Sequence, residues 1–234
     1  ANILADTIEQ NLAALDELQL LLVPAAGSTD KTVEVAETYR DRYPDRINLV
    51  EGVTGSKAGD LNQAWSTITT QCVLLLDADE VANLKFVSQS VERLEQHEDV
   101  GIVQARKVPR LPSESWLSRF ASAEFRVETC INHQFVHDIS DVSHFAGPAA
   151  VLRHHVPEEI DGWSTQALTE DIDLTIRLYL ETEWTVRYVS QLAISNLTPS
   201  TVSNLIRQRR RWARGWVEVT WRYTRDLIDS RRRL

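Results

Sequence analysis

Three short clusters carry side chains suited to chemistry: Asp77-Ala78-Asp79, Thr169-Glu170-Asp171, and Gln208 to Trp212 with its three consecutive arginines. Two carboxylates one residue apart, at the end of an apolar run, are hard oxygen ligands for Mg2+ or Mn2+. Such cations take one or two protein carboxylates and complete their shell with phosphate and water. The bland alternative is a strand-ending loop with solvated acids, and Glu80 beside the triplet favours it. Glu170 and Asp171 either complement a helix dipole from a first turn or supply a general base, Asp171. Partial burial and Glu170 would raise the Asp171 pKa, whereas a helix N-terminus would lower it. In the third cluster Trp212 offers a flat apolar face, and Gln208 and Arg211 offer donors to hydroxyls or a diphosphate. Its alternative is a basic amphipathic helix lying on lipid or on a partner.

Lys57, behind a glycine-containing loop, is a candidate phosphate contact. Glycines 52, 55 and 59 do not form G-x-G-x-x-G and no P-loop is present, which sets aside dinucleotide and ATPase readings. Histidines 133, 137, 144, 154 and 155 lack cysteine partners and a His-Glu-x-x-His spacing, which argues against a zinc site.

The elements that must position these groups follow from periodicity. Leu4, Ile8, Leu12 and Leu15 mark a helix, followed by a buried strand from Leu20 to Val23. A turn at Gly27 leads to a helix with Val33, Ala36, Tyr39 and Tyr43 on one face, and Ile47 to Val50 is a short strand. Leu61, Ala64, Trp65 and Ile68 mark another helix, and Cys72 to Leu76 is a strand that ends at Asp77. This alternation predicts a parallel sheet covered on both faces, with ligands at the carboxyl ends of its strands. A strand near Gly101 to Ala105 follows, then a helix from Trp116 to Ile131 with Leu117, Phe120, Ala123, Val127 and Ile131 on one side. Strand character resumes from Phe145 to Leu152 and from Trp184 to Val189. Ile172, Leu174, Ile176, Leu178 and Leu180 alternate as in a strand, yet Thr169 as an N-cap with acids behind it predicts a helix. A long amphipathic helix carries Val202, Leu205, Ile206, Trp212, Ala213, Trp216 and Tyr223.

With 234 residues, 43% apolar and 25% charged, the chain can bury one sizeable core. Residues 201–234 hold ten arginines against three acids, net +7, while the rest carries −16. So local a basic face argues against a nucleic-acid binder and suits an anionic membrane surface or anionic ligand. No run reaches the roughly 18 apolar residues that span a bilayer. Cys72 and Cys130 are the only cysteines and no methionine is present. A reducing compartment and a fragment of a longer product are the expectations.

Taken in order, these motifs resemble the catalytic domain of a family 2 glycosyltransferase, of the membrane-associated, cellulose-synthase-like, processive kind. Gly27-Ser-Thr-Asp-Lys-Thr32 resembles the turn after the second sheet strand, and Lys57-Ala-Gly-Asp-Leu-Asn62 the donor-side loop. Asp77-Ala-Asp79 resembles the metal motif, and Phe145-Ala-Gly-Pro-Ala-Ala-Val-Leu-Arg153 the segment lining the acceptor site. Thr169-Glu-Asp171 resembles the motif with the base, and Gln208-x-x-Arg211-Trp212 the acceptor-channel signature. Two departures stand out: the family's strand before its first helix has no counterpart, and Ala25-Ala26 stands where aspartates are usual.

The resemblance implies a GT-A, Rossmann-like α/β fold with a mixed, mostly parallel sheet flanked by helices. It implies one domain, with a donor and metal half at 1–110, an acceptor half at 111–200 and an amphipathic interfacial helix at 201–234. The implied reaction is inverting transfer of a sugar from a nucleotide-diphospho-sugar, a UDP-sugar by expectation, to a growing β-linked polysaccharide. Asp171 and Glu170 would be catalytic. Lys57, Asp60 and Asp77 would hold the donor, and Asp77 and Asp79 the Mg2+ or Mn2+. Gly147, Thr169, Gln208, Arg211 and Trp212 would hold an oligosaccharide or polysaccharide acceptor. The basic C-terminal helix would meet the membrane, at the cytoplasmic face of the plasma membrane, within an integral membrane protein. The rival readings are single transfer to a lipid-linked acceptor, a nucleotide-sugar-binding pseudoenzyme, and a membrane-surface adaptor.

Overall fold

The computed structural model describes residues 2–229, apart from 17, 29, 111–114, 141, 142 and 200. The element order is α1 (Asn2–Ala14), β1 (Leu20–Leu22), α2 (Thr32–Arg42), β2 (Ile47–Leu49), α3 (Lys57–Trp65), β3 (Cys72–Leu75), α4 (Leu84–Gln96) and β4 (Val100–Arg110). Then come α5 (Trp116–Val127), a π-helical turn (Glu128–Asn132), α6 (His133–Ser140), β5 (Ala150–Arg153), α7 (His155–Glu158), α8 (Glu170–Glu181), β6 (Thr185–Leu197) and α9 (Val202–Asp229).

The helices start where side chains satisfy their first amides. Ser56 accepts from the Gly59 amide at 3.1 Å to open α3, and Asn83 accepts from Phe86 at 2.8 Å to open α4. Phe86, Ser90 and Leu94 are then buried at four-residue spacing.

The strands form a four-stranded sheet of order β3-β5-β4-β6 and a separate parallel pair, β1-β2. β4 and β6 are parallel, whereas β5 runs antiparallel to both β3 and β4, so the architecture is mixed. Among the described residues β1 and β3 each have one edge without a ladder partner. Pleating sends alternate residues to opposite faces. Val103 and Val151 meet Phe86 and Leu94 of α4 on one face, while Ile102, Ala150 and Leu152 meet Trp65, Leu174 and Leu178 on the other. Fully burying such a Leu, Val or Ile contributes about 1.5–3 kcal/mol. A smaller cluster of Ile8, Leu12, Tyr39 and Ile47 ties α1 and α2 to the β1-β2 pair.

The helix expected over 172–180 is present as α8, and its strand-like alternation arises because α8 is buried on more than one side. Leu174 and Leu178 face the sheet core, while Asp173 meets Arg222 and Tyr223 of α9. Other sequence expectations are corrected. Thr169 occupies the N-cap position of α8 without a side-chain capping bond. Its buried hydroxyl has no hydrogen-bond partner among the described residues. Phe145 to Ala149 is a loop with positive φ at Gly147 (80°) and Ala149 (64°), so the strand begins only at Ala150. β6 extends to Leu197, beyond the expected end at Val189. Finally, Leu117 does not share a face with Phe120, Val127 and Ile131: it is buried and they are exposed.

Candidate functional site

The site is assembled at the carboxyl end of β3. Asp77 to Glu80 forms a closed turn in which the Glu80 amide donates to the Asp77 carbonyl at 3.0 Å and the Asp77 amide donates to Glu80 Oε2 at 3.1 Å. Asn11 of α1 grips the turn's far end, donating to the Glu80 carbonyl (2.9 Å) and accepting from the Ala82 amide (3.0 Å). From β6 the Leu197 amide donates to Asp79 Oδ2 at 2.9 Å. The two candidate metal carboxylates thus stand on a turn braced from three directions.

Glu80 is almost fully buried, and Lys107 of β4 lies 3.4 Å from its Oε1. Burial pushes the Glu80 carboxyl up to about 7, against the pull of Lys107, with Asp77 adding to the rise. Lys107 also donates to the Ala146 carbonyl at 3.3 Å. One ammonium therefore spans the metal turn and the 145–149 loop.

Lys57 opens α3 and points across the site, 3.0 Å from Asp77 Oδ1 and 3.5 Å from Glu170 Oε1. Partial burial opposes its charge, yet Asp77 and Glu170 hold the ammonium above the ordinary lysine range. The structure thus brings together Lys57, Asp77 and Glu170 from three separate motifs. Asp60 is turned inward, where it accepts from the Thr54 amide (2.9 Å), the Thr54 hydroxyl (2.7 Å) and the Ala26 amide (3.3 Å). Against the penalty of burial, these bonds keep its carboxyl below the ordinary value. A Cβ at Gly52 would stand 2.3 Å from Asp60 Oδ2, so that position must be glycine. Asp60 therefore shapes the loop that carries Lys57.

Asp171 lies in the first turn of α8. A Cβ on Gly147 would sit 3.1 Å from Asp171 Oδ2, so the left-handed glycine leaves that oxygen uncovered. Its Oδ1 accepts from the Ile172 amide at 2.9 Å. Burial and then the Glu170 charge raise the Asp171 carboxyl above the usual range, only partly offset by that amide and by Lys57. The facing loop is clamped by Gln104 of β4, which donates to the Pro148 and Ala149 carbonyls and accepts from the Ala146 amide at 2.9 Å. Thr175 accepts from the Phe145 amide at 3.0 Å.

On α9 the three signature residues part company. Arg209, which the motif leaves unnamed, makes a paired bond to Glu124 of α5 (2.8 and 3.0 Å) and donates to Gln208 at 2.9 Å. Its guanidinium lies 4.3 Å from the Trp212 ring centre, so one face of the indole is already taken. Arg211 is exposed. Thr169 is brought against α9 by Gly215, where a Cβ would meet the Thr169 methyl at 2.1 Å. Asp173, fully buried, fastens the same helix by accepting from Arg222 (3.2 Å) and Tyr223 (2.9 Å), and is itself held by Arg177 of α8 (2.8 Å). Gln104, Lys107 and Asp173 were absent from the sequence expectations, and Arg209, within the basic cluster, was given no role of its own.

Among the described residues no group of three or more His, Cys, Asp or Glu side chains assembles as a metal site. Asp77 and Asp79 supply two carboxylates, a donor set suited to a hard cation that takes its remaining ligands from phosphate and water. Among the described residues no helix is long and apolar enough to cross a membrane.

A model of "Glycosyltransferase like family 2" matches residues 1–215. The beta-monoglucosyldiacylglycerol synthase of Nostoc sp. (strain PCC 7120) is 29% identical over 210 residues, covering 88% of this chain and 44% of that protein. The cellulose synthase 1 catalytic subunit (UDP-forming) of Komagataeibacter xylinus is 28% identical over 87% of this chain and 27% of its own length. This chain thus spans less than half of either relative. A mannosyltransferase from Pyrobaculum calidifontis, solved in complex with GDP-Man and Mn2+, superposes with a TM-score of 0.67 at 20% identity, covering 94% of this chain and 59% of the other. That likeness shows a shared GT-A fold, and with the family match over most of its length, this chain belongs to glycosyltransferase family 2.

Proposed function

We propose that this chain is the catalytic domain of an inverting glycosyltransferase that moves a sugar from a nucleotide diphosphate to a growing β-linked polysaccharide. The observation that carries the reading is the convergence of Lys57 on Asp77 and Glu170, beside a half-buried Asp171 whose Oδ2 faces Gly147. In this reading residues 1–110 hold the donor, 111–200 meet the acceptor and 201–234 form an interfacial helix.

Asp171 Oδ2 accepts the proton of the acceptor hydroxyl as its oxygen bonds to the anomeric carbon. The bond from that carbon to the diphosphate breaks on the opposite face, which inverts the configuration. A base raised above the ordinary carboxylate range is better matched to a hydroxyl proton than a solvated aspartate. Lys57 is the fixed cation for the departing diphosphate, and releasing it from Asp77 and Glu170 accompanies donor entry. Asp77 and Asp79 would hold Mg2+ or Mn2+, which supplies further charge neutralisation to the diphosphate. Gln208, Arg211 and the open face of Trp212 are the proposed acceptor contacts, with a UDP-sugar as the expected donor. Glu170 keeps Lys57 placed and the Asp171 carboxyl raised.

The likeness to a lipid glucosyltransferase supports a second reading, single transfer to a lipid acceptor. Nucleotide diphosphate release across a panel of nucleotide sugars, with Mg2+ or Mn2+, tests the proposal. Product length in excess donor separates a polymerase from a single-transfer enzyme. Donor binding with no turnover on any acceptor would show a pseudoenzyme instead.

A further inference from the structure

Ala146 is gripped at both its amide and its carbonyl. The amide donates to Gln104 Oε1 at 2.9 Å, and the carbonyl accepts from Lys107 Nζ at 3.3 Å. Gly147 follows at φ 80°, with Asp171 Oδ2 lying 3.1 Å from where its Cβ would stand. Lys107 therefore fixes which way the carbonyl points in the peptide that leads into the glycine beside Asp171. Glycine tolerates φ of either sign, so this peptide has two accessible orientations once its carbonyl is released. Ala149 of the same loop sits at φ 64°, a conformation that costs a residue with a Cβ and persists only where the surroundings hold it.

The same ammonium lies 3.4 Å from Glu80 Oε1, while Glu80 Oε2 accepts from the Asp77 amide at 3.1 Å. An unbroken set of contacts thus runs from Asp77 through Glu80 and Lys107 to Ala146. Side-chain exposures of 12% for Lys107 and 2% for Glu80 set this route apart from the Lys57–Asp77 pair, at 48% and 45%. Water screens the exposed pair far more than the enclosed one. Opposite the step from Ala105 to Arg106 the partner in β6 jumps from Val189 to Ala193, an irregularity of the kind that re-aims side chains beside active sites. Lys107 leaves its strand just beyond it.

We propose that Lys107 is a positioning residue: through Glu80 on one side and the Ala146 carbonyl on the other, it couples occupancy of the Asp77–Asp79 turn to the orientation of the peptide beside Asp171. The coupling rests on the reading that this turn receives a nucleotide diphosphate with its cation. Charge placed on Asp77 and Asp79 draws the turn toward the ligand, and Glu80 follows because it holds the Asp77 amide. The Lys107 ammonium must then shift with Glu80, and the Ala146 carbonyl either moves with it or is released. Lys57 cannot transmit the same signal, since donor entry takes it from both Asp77 and Glu170. Lys107 touches neither ligand and acts only through its partners. Its charge also bears on the base: burial and Glu170 raise the Asp171 carboxyl, against the Ile172 amide, Lys57 and Lys107.

The test is amide hydrogen exchange over residues 145–149, with and without UDP and Mn2+ and again with GDP and Mn2+, while calorimetry fixes the saturation. In the unsubstituted chain, bound nucleotide should change exchange at the Phe145, Ala146 and Gly147 amides by about fivefold or more, the lower end of usual coupling. Lys107→Met with Glu80→Gln removes both charges together, so no buried carboxylate is left unpaired and the urea midpoint at pH 7 should hold. In that pair nucleotide should still bind, but the change in exchange should shrink to less than about twofold at matched saturation. Lys107→Arg, which keeps a cation and its donors, should retain the response. A role in stability alone would move the urea midpoint and leave the loop's response to nucleotide intact. A full response in the paired variant overturns the proposal, and so does an unsubstituted loop that ignores bound nucleotide, a result that needs no variant. Failure of both nucleotides to bind the unsubstituted chain is distinguishable from these: it removes the donor reading itself, and the coupling falls with it.

Discussion

Gly215 of α9 lies so near Thr169 of the Thr-Glu-Asp motif that a Cβ there would stand 2.1 Å from the Thr169 methyl and 2.6 Å from its hydroxyl. Glycine costs a helix interior about 1 kcal/mol relative to alanine, so its presence here reflects the close approach. The contact joins the segment carrying Asp171 to the helix carrying Gln208 and Trp212.

Gly215→Ala should therefore destabilise the fold by about 1–3 kcal/mol despite its better helix propensity. Transfer should fall as well, because α9 must move away from Thr169. Adding Thr169→Ala removes the two nearer atoms, leaves the Thr169 Cβ at 2.8 Å, and should recover part of the loss. A double-mutant cycle by urea unfolding measures the coupling, and strictly additive effects would show that the contact is not the cause.

Lys107 and Glu80 give a prediction with a pH signature. Glu80 is raised from 4.5 to about 7 in the folded protein. The native state therefore holds more protons than the unfolded chain between those values, and stability falls as pH rises through that window. Lys107 limits the rise. Lys107→Met should extend the fall above pH 7, by up to about 1.4 kcal/mol per pH unit. Glu80→Gln in the same background should flatten it. Urea midpoints at pH 6 and pH 8.5 decide the matter, and equal losses at both values would rule out an ionised Glu80 as the source.

Asp171→Asn should lower turnover by about 100- to 10,000-fold, the range for a lost general base, while nucleotide diphosphate binding persists. Because Glu170 helps hold the Asp171 carboxyl up, Glu170→Gln should move the acid limb of the kcat/KM profile to lower pH. A limb that stays in place, or turnover that survives Asp171→Asn, would transfer the base role elsewhere.

Much of this site was legible because its determinants are local. Asp77 and Asp79 follow directly on an apolar strand, and the acids of 170–173 announce the start of α8 strongly enough to outweigh its strand-like alternation. The rest depends on partners far apart in the chain. Arg209 covers Trp212 while holding Glu124, 85 residues away, and Gln104 clamps carbonyls 44 and 45 residues away. No spacing rule exposes such pairs. The π turn was equally hidden, since a single extra residue leaves no mark in composition yet decides which side of α5 and α6 faces water. Thr169 stands at the N-cap position that the sequence marks, but its hydroxyl makes no capping bond, and nothing local in the sequence shows that α9 packs on it at Gly215.

The buried His133 and the half-buried His144 make the last prediction. His133 and His144 stack with ring centres 4.0 Å apart, His133 also lies 5.2 Å from the Tyr188 ring, and His144 meets the edge of Trp216 at 5.8 Å. Burial pushes His133 down to about 3, helped by His144 and Lys107, and pushes His144 down to about 4. Both are thus neutral in the folded protein at pH 6.5, where the unfolded chain is half protonated. Below that value the unfolded state binds more protons, so the stability present at neutral pH is lost as pH falls from about 6.5 toward 4. Each histidine removes up to about 1.4 kcal/mol per pH unit over that range. Glu80 works the other way over the same window, so in a Glu80→Gln background urea midpoints should drop as pH falls from 6.5 to 5. His144→Phe keeps an aromatic ring against His133 and Trp216 without a titrating group, and should roughly halve the slope. A slope unchanged in that variant would place the acid sensitivity among the carboxylates instead, with Asp60, whose pKa is lowered on folding, the next residue to test.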